Sequence, residues 1–205
     1  ALLPFAPTSL ESYDDNTLKL ALKSAPQLAR LIGKNQSVLK IGMNLLPDFW
    51  IMLKHGFPRL VIMAEFTGDQ LSQVNERLLQ ASIALARFNL PTRIPRYEEE
   101  TQTYWTIRRQ SFNLLRHNIA SKQTVPFIDD CIVQPQYMAE FLPQLYTILS
   151  HYPQLTFTIA GHIGDGNFHI IPLMNMTDRT QRHLIPVISK QVYSLVLKYK
   201  GSLSA

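Results

Sequence analysis

Nine residues, Gly161-His162-Ile163-Gly164-Asp165-Gly166-Asn167-Phe168-His169, restrict the fold of this chain more than any other stretch. An Asp-Gly pair between two apolar, β-branched runs is a strong hairpin signal, because a type I′ turn needs positive φ at both central residues. With Asp165 and Gly166 at the centre, His162 faces His169 and their Cβ atoms lie about 5 Å apart. Side chains alternate along a strand. One face therefore carries Phe157, Ile159, Ile163, Phe168, Ile170 and Met174 toward a core. The other carries Thr156, Thr158, Ala160, His162, Asn167 and His169, small and polar as the floor of a site would be.

The 205 residues, 46% of them hydrophobic, suffice for one good core. A net charge of +5 and a pI of about 9.4 admit an anionic partner. The basic residues are nonetheless scattered and no base-stacking motif is present, which argues against nucleic acid. The single cysteine, Cys131, excludes an internal disulfide and fits a reducing compartment. No apolar run reaches the length of a membrane span, and no leader is evident. A first residue other than Met and an end at Gly201-Ser-Leu-Ser-Ala205, just past a helix, read as a piece of something longer.

Residues 1–58 read as a helical extension or insertion: Asp14-Asp15-Asn16 cap one helix, and Gly56 and Pro58 end another. Strands and helices alternate from Arg59 onward. The pattern places a strand at Leu60–Phe66 and a capping box at Thr67-Gly-Asp-Gln70 before a helix. Next come a short strand near Thr92–Arg96, a helix from Glu98 to Arg116 and a strand from Val125 to Val133. A helix opened by Pro135, the hairpin over Leu155–Leu173, and a last helix stopped by Gly201 follow. The expectation is an α+β, ferredoxin-like sandwich over 59–205, with helices on one face of a mostly antiparallel sheet.

Two imidazoles side by side suit a zinc-like cation, which takes nitrogen, sulfur or oxygen ligands and in catalytic sites keeps a position open. Packed or solvated histidines are the plainer alternative. Asp129 or Asp130 is a candidate for one further carboxylate ligand. On a helical wheel Arg108 falls within an apolar arc of Tyr104, Trp105, Ile107, Ser111, Phe112, Leu114 and Leu115. A guanidinium there requires an anion, either a bound carboxylate gripped by its planar fork or an internal acid such as Asp129 or Glu65. The glycines match no phosphate-binding fingerprint. Cys131 reads as a buried structural thiol.

The nine-residue motif, together with Trp105-Thr-Ile-Arg108 and Pro126-Phe-Ile-Asp-Asp130, resembles the C-terminal, or cap, domain of FAD-linked oxidases. These are the D-lactate, glycolate and D-2-hydroxyglutarate dehydrogenase-like flavoenzymes of the vanillyl-alcohol-oxidase type. The likeness is close over 59–205 and loose before it. It implies a cap that closes a substrate site over FAD held by a separate N-terminal domain. It also implies a divalent metal, zinc foremost, on His162 and His169, and a substrate carboxylate on Arg108, with Asn167 as an orienting group. The implied reaction is FAD-dependent oxidation of a 2-hydroxy acid by hydride transfer to the flavin. The family's third metal ligand, a Glu, lies beyond a turn like the one at Gly201, so this piece alone is expected to be inactive and to bind metal weakly. Ile128 and Ile171 stand where some members have a substrate-binding Lys and Asn, which favours a D-lactate or glycolate type of substrate over a dicarboxylate. The implied location is cytoplasmic, or peripheral to the inner membrane, with a membrane or electron-acceptor contact. Two other readings of the same residues are a metal-dependent hydrolase and a ferredoxin-like module for small anions or nucleic acid.

Overall fold

A computed structural model describes residues 1–23, 38–95, 97–117 and 122–203, with side chains described for all of these but 38–42 and 110–117. At its centre is the hairpin of β5 (Thr156–His162) and β6 (Asn167–Met174). Around it the sheet is completed by β1 (Ser9–Asp14), β2 (Leu60–Glu65), β3 (Gln123–Thr124), β4 (Cys131–Ile132) and β7 (Ser202–Leu203). The order is β2-β1-β5-β6-β4-β7, with β3 alongside β6. Every strand pair among the described residues is antiparallel. The helices are α1 (Asp15–Lys23), α2 (Val38–His55), α3 (Leu71–Ala86), α4 (Glu98–His117), α5 (Met138–Ser150) and α6 (Arg179–Lys198). This is the expected α+β architecture with a mostly antiparallel sheet.

The main core forms because the apolar side of the hairpin meets two amphipathic helices. Phe157, Ile159, Phe168 and Ile170 pack against Phe141, Leu145 and Leu149 of α5 and Ile188, Val192 and Val196 of α6. Cys131 lies in this cluster and burial pushes its thiol up to about 12, so it is the inert structural thiol expected. The opposite side of the sheet is covered too, where α1 packs on β5 and against α4, with Ala21, Leu45 and Ile107 in contact. Helices on one face alone were expected. The second layer is made by α1 of the N-terminal segment together with α4, and the N-terminal segment also gives the sheet β1.

The largest departure is β1. Residues 1–58 were expected to be helical, yet Ser9–Asp14 runs through the sheet between β2 and β5. Three of its four buried positions are polar, Glu11, Ser12 and Asp14 beside Tyr13, and they fall on both faces, so the alternation that marks a strand is missing. Asp14 does cap α1, accepting from Thr17 N at 2.8 Å and from the Thr17 hydroxyl at 2.6 Å. Thr67 does not cap α3; its hydroxyl meets that of Thr8 at 2.8 Å and the cap position falls to Gln70. No strand forms at 92–95, where Arg93 instead bridges Asp48 and Glu100, and Arg96 lies outside the described residues. The strand expected from Val125 to Val133 is reduced to β4 with β3 before it. Between them Asp130 takes a left-handed φ of 55° that no strand accommodates.

Candidate functional site

The turn that creates the site differs in register from the sequence expectation. Four residues, Ile163 to Gly166, form the loop, so His162 pairs with Asn167 and Ala160 with His169. Asp165 N donates to His162 O at 3.0 Å and Gly166 N to Ile163 O at 3.3 Å. Only Gly166 has positive φ, at 73°, so the type I′ turn is not made. Both flanks grip the loop: Gly164 N donates to Leu10 O at 3.1 Å, and Val133 N to Gly166 O at 2.9 Å. A Cβ at Gly166 would stand 1.8 Å from Val133 O. These contacts hold the wider loop, and the pairing slips by two residues. A slip of two preserves the face. His162 and His169 are diagonal neighbours on one side of the sheet, with ring centroids 5.8 Å apart and planes at 78°.

Each imidazole has a carboxylate on Nδ1. His162 Nδ1 donates to Glu11 Oε1 at 2.5 Å. Continuing the pairing of Ser12 with Gly161 sets Glu11 directly across from His162. His169 Nδ1 lies 2.6 Å from Asp130 Oδ1 and 3.3 Å from Asp129 Oδ1. The Asp129 contact, outweighing partial burial and helped by both negative charges, raises the pKa of His169, while Arg108 opposes the shift. Asp129, Asp130 and His169 offer ligand atoms within 4.8 Å of one another. The two acids named from sequence therefore reach one of the two histidines, His169.

Arg108 arrives from α4. Its Nη2 donates to Glu11 Oε2 at 3.0 Å, and both side chains are largely enclosed. The anion required by a guanidinium in an apolar arc is thus Glu11, not the Asp129 or Glu65 considered from sequence. The part of that arc from Ser111 onward falls outside the described side chains. Asn167 opens β6 beside His162, and its Oδ1 is buried with no hydrogen bond. Ile171 continues the His169 face toward the interior, 3% exposed, while Ile128 is wholly enclosed in the main core.

The donor set fits a divalent cation. In a neutral imidazole a carboxylate that accepts from Nδ1, as Glu11 does from His162, fixes the tautomer and leaves Nε2 as the lone-pair nitrogen, the usual arrangement around protein-bound zinc. With zinc–nitrogen bonds of about 2.0 Å, two rings sharing one ion have centroids roughly 5–6 Å apart, which matches the spacing found. Glu11, in contact with both His162 and Arg108, is the candidate residue that sequence reasoning missed. The one signal pointing to it was the charge that Arg108 must find.

The family model described as FAD linked oxidases, C-terminal domain, matches residues 5–205. Among curated proteins, D-2-hydroxyglutarate dehydrogenase of Pseudomonas putida is 27% identical over 211 aligned residues, covering 99% of this chain and 19% of that protein. The enzyme of the same name from Escherichia coli (strain K12) is 26% identical over 148 residues, covering 69% and 14%. The chain spans about a fifth or less of the length of these relatives. Among solved structures an alkyldihydroxyacetonephosphate synthase aligns with a TM-score of 0.51 at 10% identity, over 98% of this chain and 35% of that one, which is a likeness of fold. With its hairpin, its histidine pair and a family match that begins before β1 and runs to the last residue, this chain belongs to the family of FAD-linked oxidase C-terminal domains.

Proposed function

We propose that this chain is the substrate-binding cap of a flavin-dependent dehydrogenase that oxidises a 2-hydroxy acid, residues 1–58 and 59–205 together forming the cap. The observation carrying this reading is the pair His162 and His169 on one sheet face, each with a carboxylate on Nδ1 and with Arg108 beside them. The family match and the names of the relatives support the flavin and the class of substrate. The flavin would be held by a neighbouring domain of the same protein and, when bound, accepts the hydride.

His162 and His169 would hold the cation, which at that position polarises the substrate's hydroxyl as a Lewis acid. Arg108 attracts the substrate carboxylate and orients it, and Asn167 offers a buried amide oxygen to a donor on the substrate. The Asp129–Asp130 pair keeps the His169 ring in place. Ile171, next in line on the His169 face, closes that side with an apolar wall and favours a small monocarboxylate of the D-lactate or glycolate type. The relatives' printed names point instead to a dicarboxylate. Electrons would leave to an acceptor or membrane contact outside the cap; among the described residues no helix is long and apolar enough to cross a membrane.

Anaerobic mixing of the full-length protein with D-lactate, glycolate and D-2-hydroxyglutarate tests the reading. We expect bleaching of the flavin's visible absorption, fastest with a monocarboxylate and slowed at least tenfold after chelator treatment, with recovery on adding zinc. Flavin left oxidised by all three acids, with ester hydrolysis on zinc addition, would favour the hydrolase reading instead. Arg108→Gln is expected to raise KM for the acid about 100-fold, as loss of a charge-assisted bidentate contact would.

A further inference from the structure

The cation reading uses one oxygen of Glu11, a carboxylate that touches both halves of the site and is 6% exposed on an interior strand. We propose that Glu11 is a positioning residue whose two oxygens set His162 as a cation ligand and Arg108 as a carboxylate clamp at the same time.

The two contacts are of different kinds and leave neither oxygen idle. Oε1 accepts from His162 Nδ1 at 2.5 Å, and Oε2 accepts from Arg108 Nη2 at 3.0 Å. An ionised carboxylate only accepts hydrogen bonds, so in a neutral His162 ring Nδ1 carries the proton and Nε2 the lone pair. Without that acceptor the ring is free to take the other tautomer or to turn. The Arg108 contact does the same for the guanidinium, which comes from α4 and needs a fixed anion to point its fork at the sheet. Backbone pairing supplies the precision. β1 is bonded to β5 through Ser12 with Gly161 and Tyr13 with Ala160, and on its other side to β2 from Ser9 through Asp14. Glu11 thus sits on a strand held from both edges.

A group with this geometry couples two binding events. Cation at His162 and anion at Arg108 each depend on the same side chain, so a change at Glu11 weakens both. A merely structural counter-ion to Arg108 would behave differently, because removing Arg108 together with Glu11 would then restore the site. The proposal rests on the cation reading of the histidine pair, and its test separates the two.

The test uses the full-length protein, a chelator-competition titration with zinc, and the visible spectrum of the cobalt-loaded form. For Glu11→Gln we expect zinc affinity 10- to 100-fold below the parent, within the range for loss of a partner behind a histidine ligand. A changed cobalt spectrum and an unaltered circular dichroism spectrum should accompany it. The double variant Glu11→Gln/Arg108→Gln removes the buried charge left behind, and it should remain at least tenfold weaker than Arg108→Gln alone. It carries the test if the single variant fails to fold. Zinc affinity restored to that of Arg108→Gln in the double variant would overturn the proposal. So would a Glu11→Gln protein that binds zinc like the parent while His162→Gln does not. If His162→Gln also binds zinc like the parent, the cation reading falls and the role of Glu11 falls with it.

Discussion

Asp14 and Glu11 occupy one strand, three positions apart, and face opposite sides of the sheet. Glu11 meets two cationic or hydrogen-bearing partners, whereas Asp14 is buried with its Oδ1 accepting from the Thr17 backbone and hydroxyl. Burial accordingly pushes the Asp14 carboxyl up to about 6 despite the Thr17 bonds. The folded state then binds this proton more tightly than the unfolded chain. Its contribution to stability is greatest below about pH 4, falls as the pH rises toward 6, and stays lost above, by about 3 kcal/mol in all. Asp14→Asn keeps an acceptor at the helix cap and removes the charge. We expect its thermal midpoint to exceed the parent's at pH 7 and the difference to vanish near pH 4. A difference independent of pH would contradict this. Neither acid could be recognised from sequence as buried. Their neighbours gave the segment no apolar period, and partner geometry decides their burial.

At the scale of elements the hairpin was legible and its turn chemistry was not. The Asp-Gly signal located β5 and β6, and the period of two put both histidines on the right face even though the register differs by two residues. Contacts from Leu10 and Val133 widen the loop, and both come from segments far away in the chain. Two glycines with positive φ show how much such contacts matter. Gly56 has φ 85° and open space around its α-carbon, while Gly166 has φ 73° and a neighbouring backbone oxygen where a Cβ would go. Gly56→Ala should therefore cost about 1–2 kcal/mol, the left-handed penalty alone. Gly166→Ala should cost more than about 3 kcal/mol, since the backbone must also move. Equal denaturant midpoints for the two variants would show that Val133, just past β4, does not brace the turn. The short β3 and β4 escaped sequence reading for a related reason. Pro126 and the left-handed Asp130 interrupt a run whose composition is that of a strand.

Across the whole molecule, apolar residues are divided between an enclosed core and an open helical stripe. Phe141, Leu145 and Leu149 on α5 are enclosed, as their helical spacing suggested. Met43, Leu46, Trp50 and Leu53 on α2 follow an equally regular spacing and are exposed, Trp50 by 65% and Leu53 by 66%. Periodicity reports that a helix has an apolar face; which body covers it is decided by tertiary placement. Phe141→Ala should destabilise by about 3–5 kcal/mol, whereas Leu53→Ala should lie within about 0.5 kcal/mol of the parent. A large loss at Leu53 would mean that the stripe is covered in solution. The class of fold, the helical layer over the apolar side of the hairpin and three candidate site residues, Arg108, His162 and His169, follow from local pattern. The fourth, Glu11, and the second helical layer required the strand order.

The proposed chemistry requires both imidazoles to bind one ion. X-ray absorption of the zinc-loaded full-length protein tests it directly. We predict scattering from two imidazole rings with nitrogens at about 2.0 Å, reduced to one ring in each of His162→Gln and His169→Gln. Zinc that binds with its histidine scattering intact in either variant would contradict it, as would a protein that takes up no zinc.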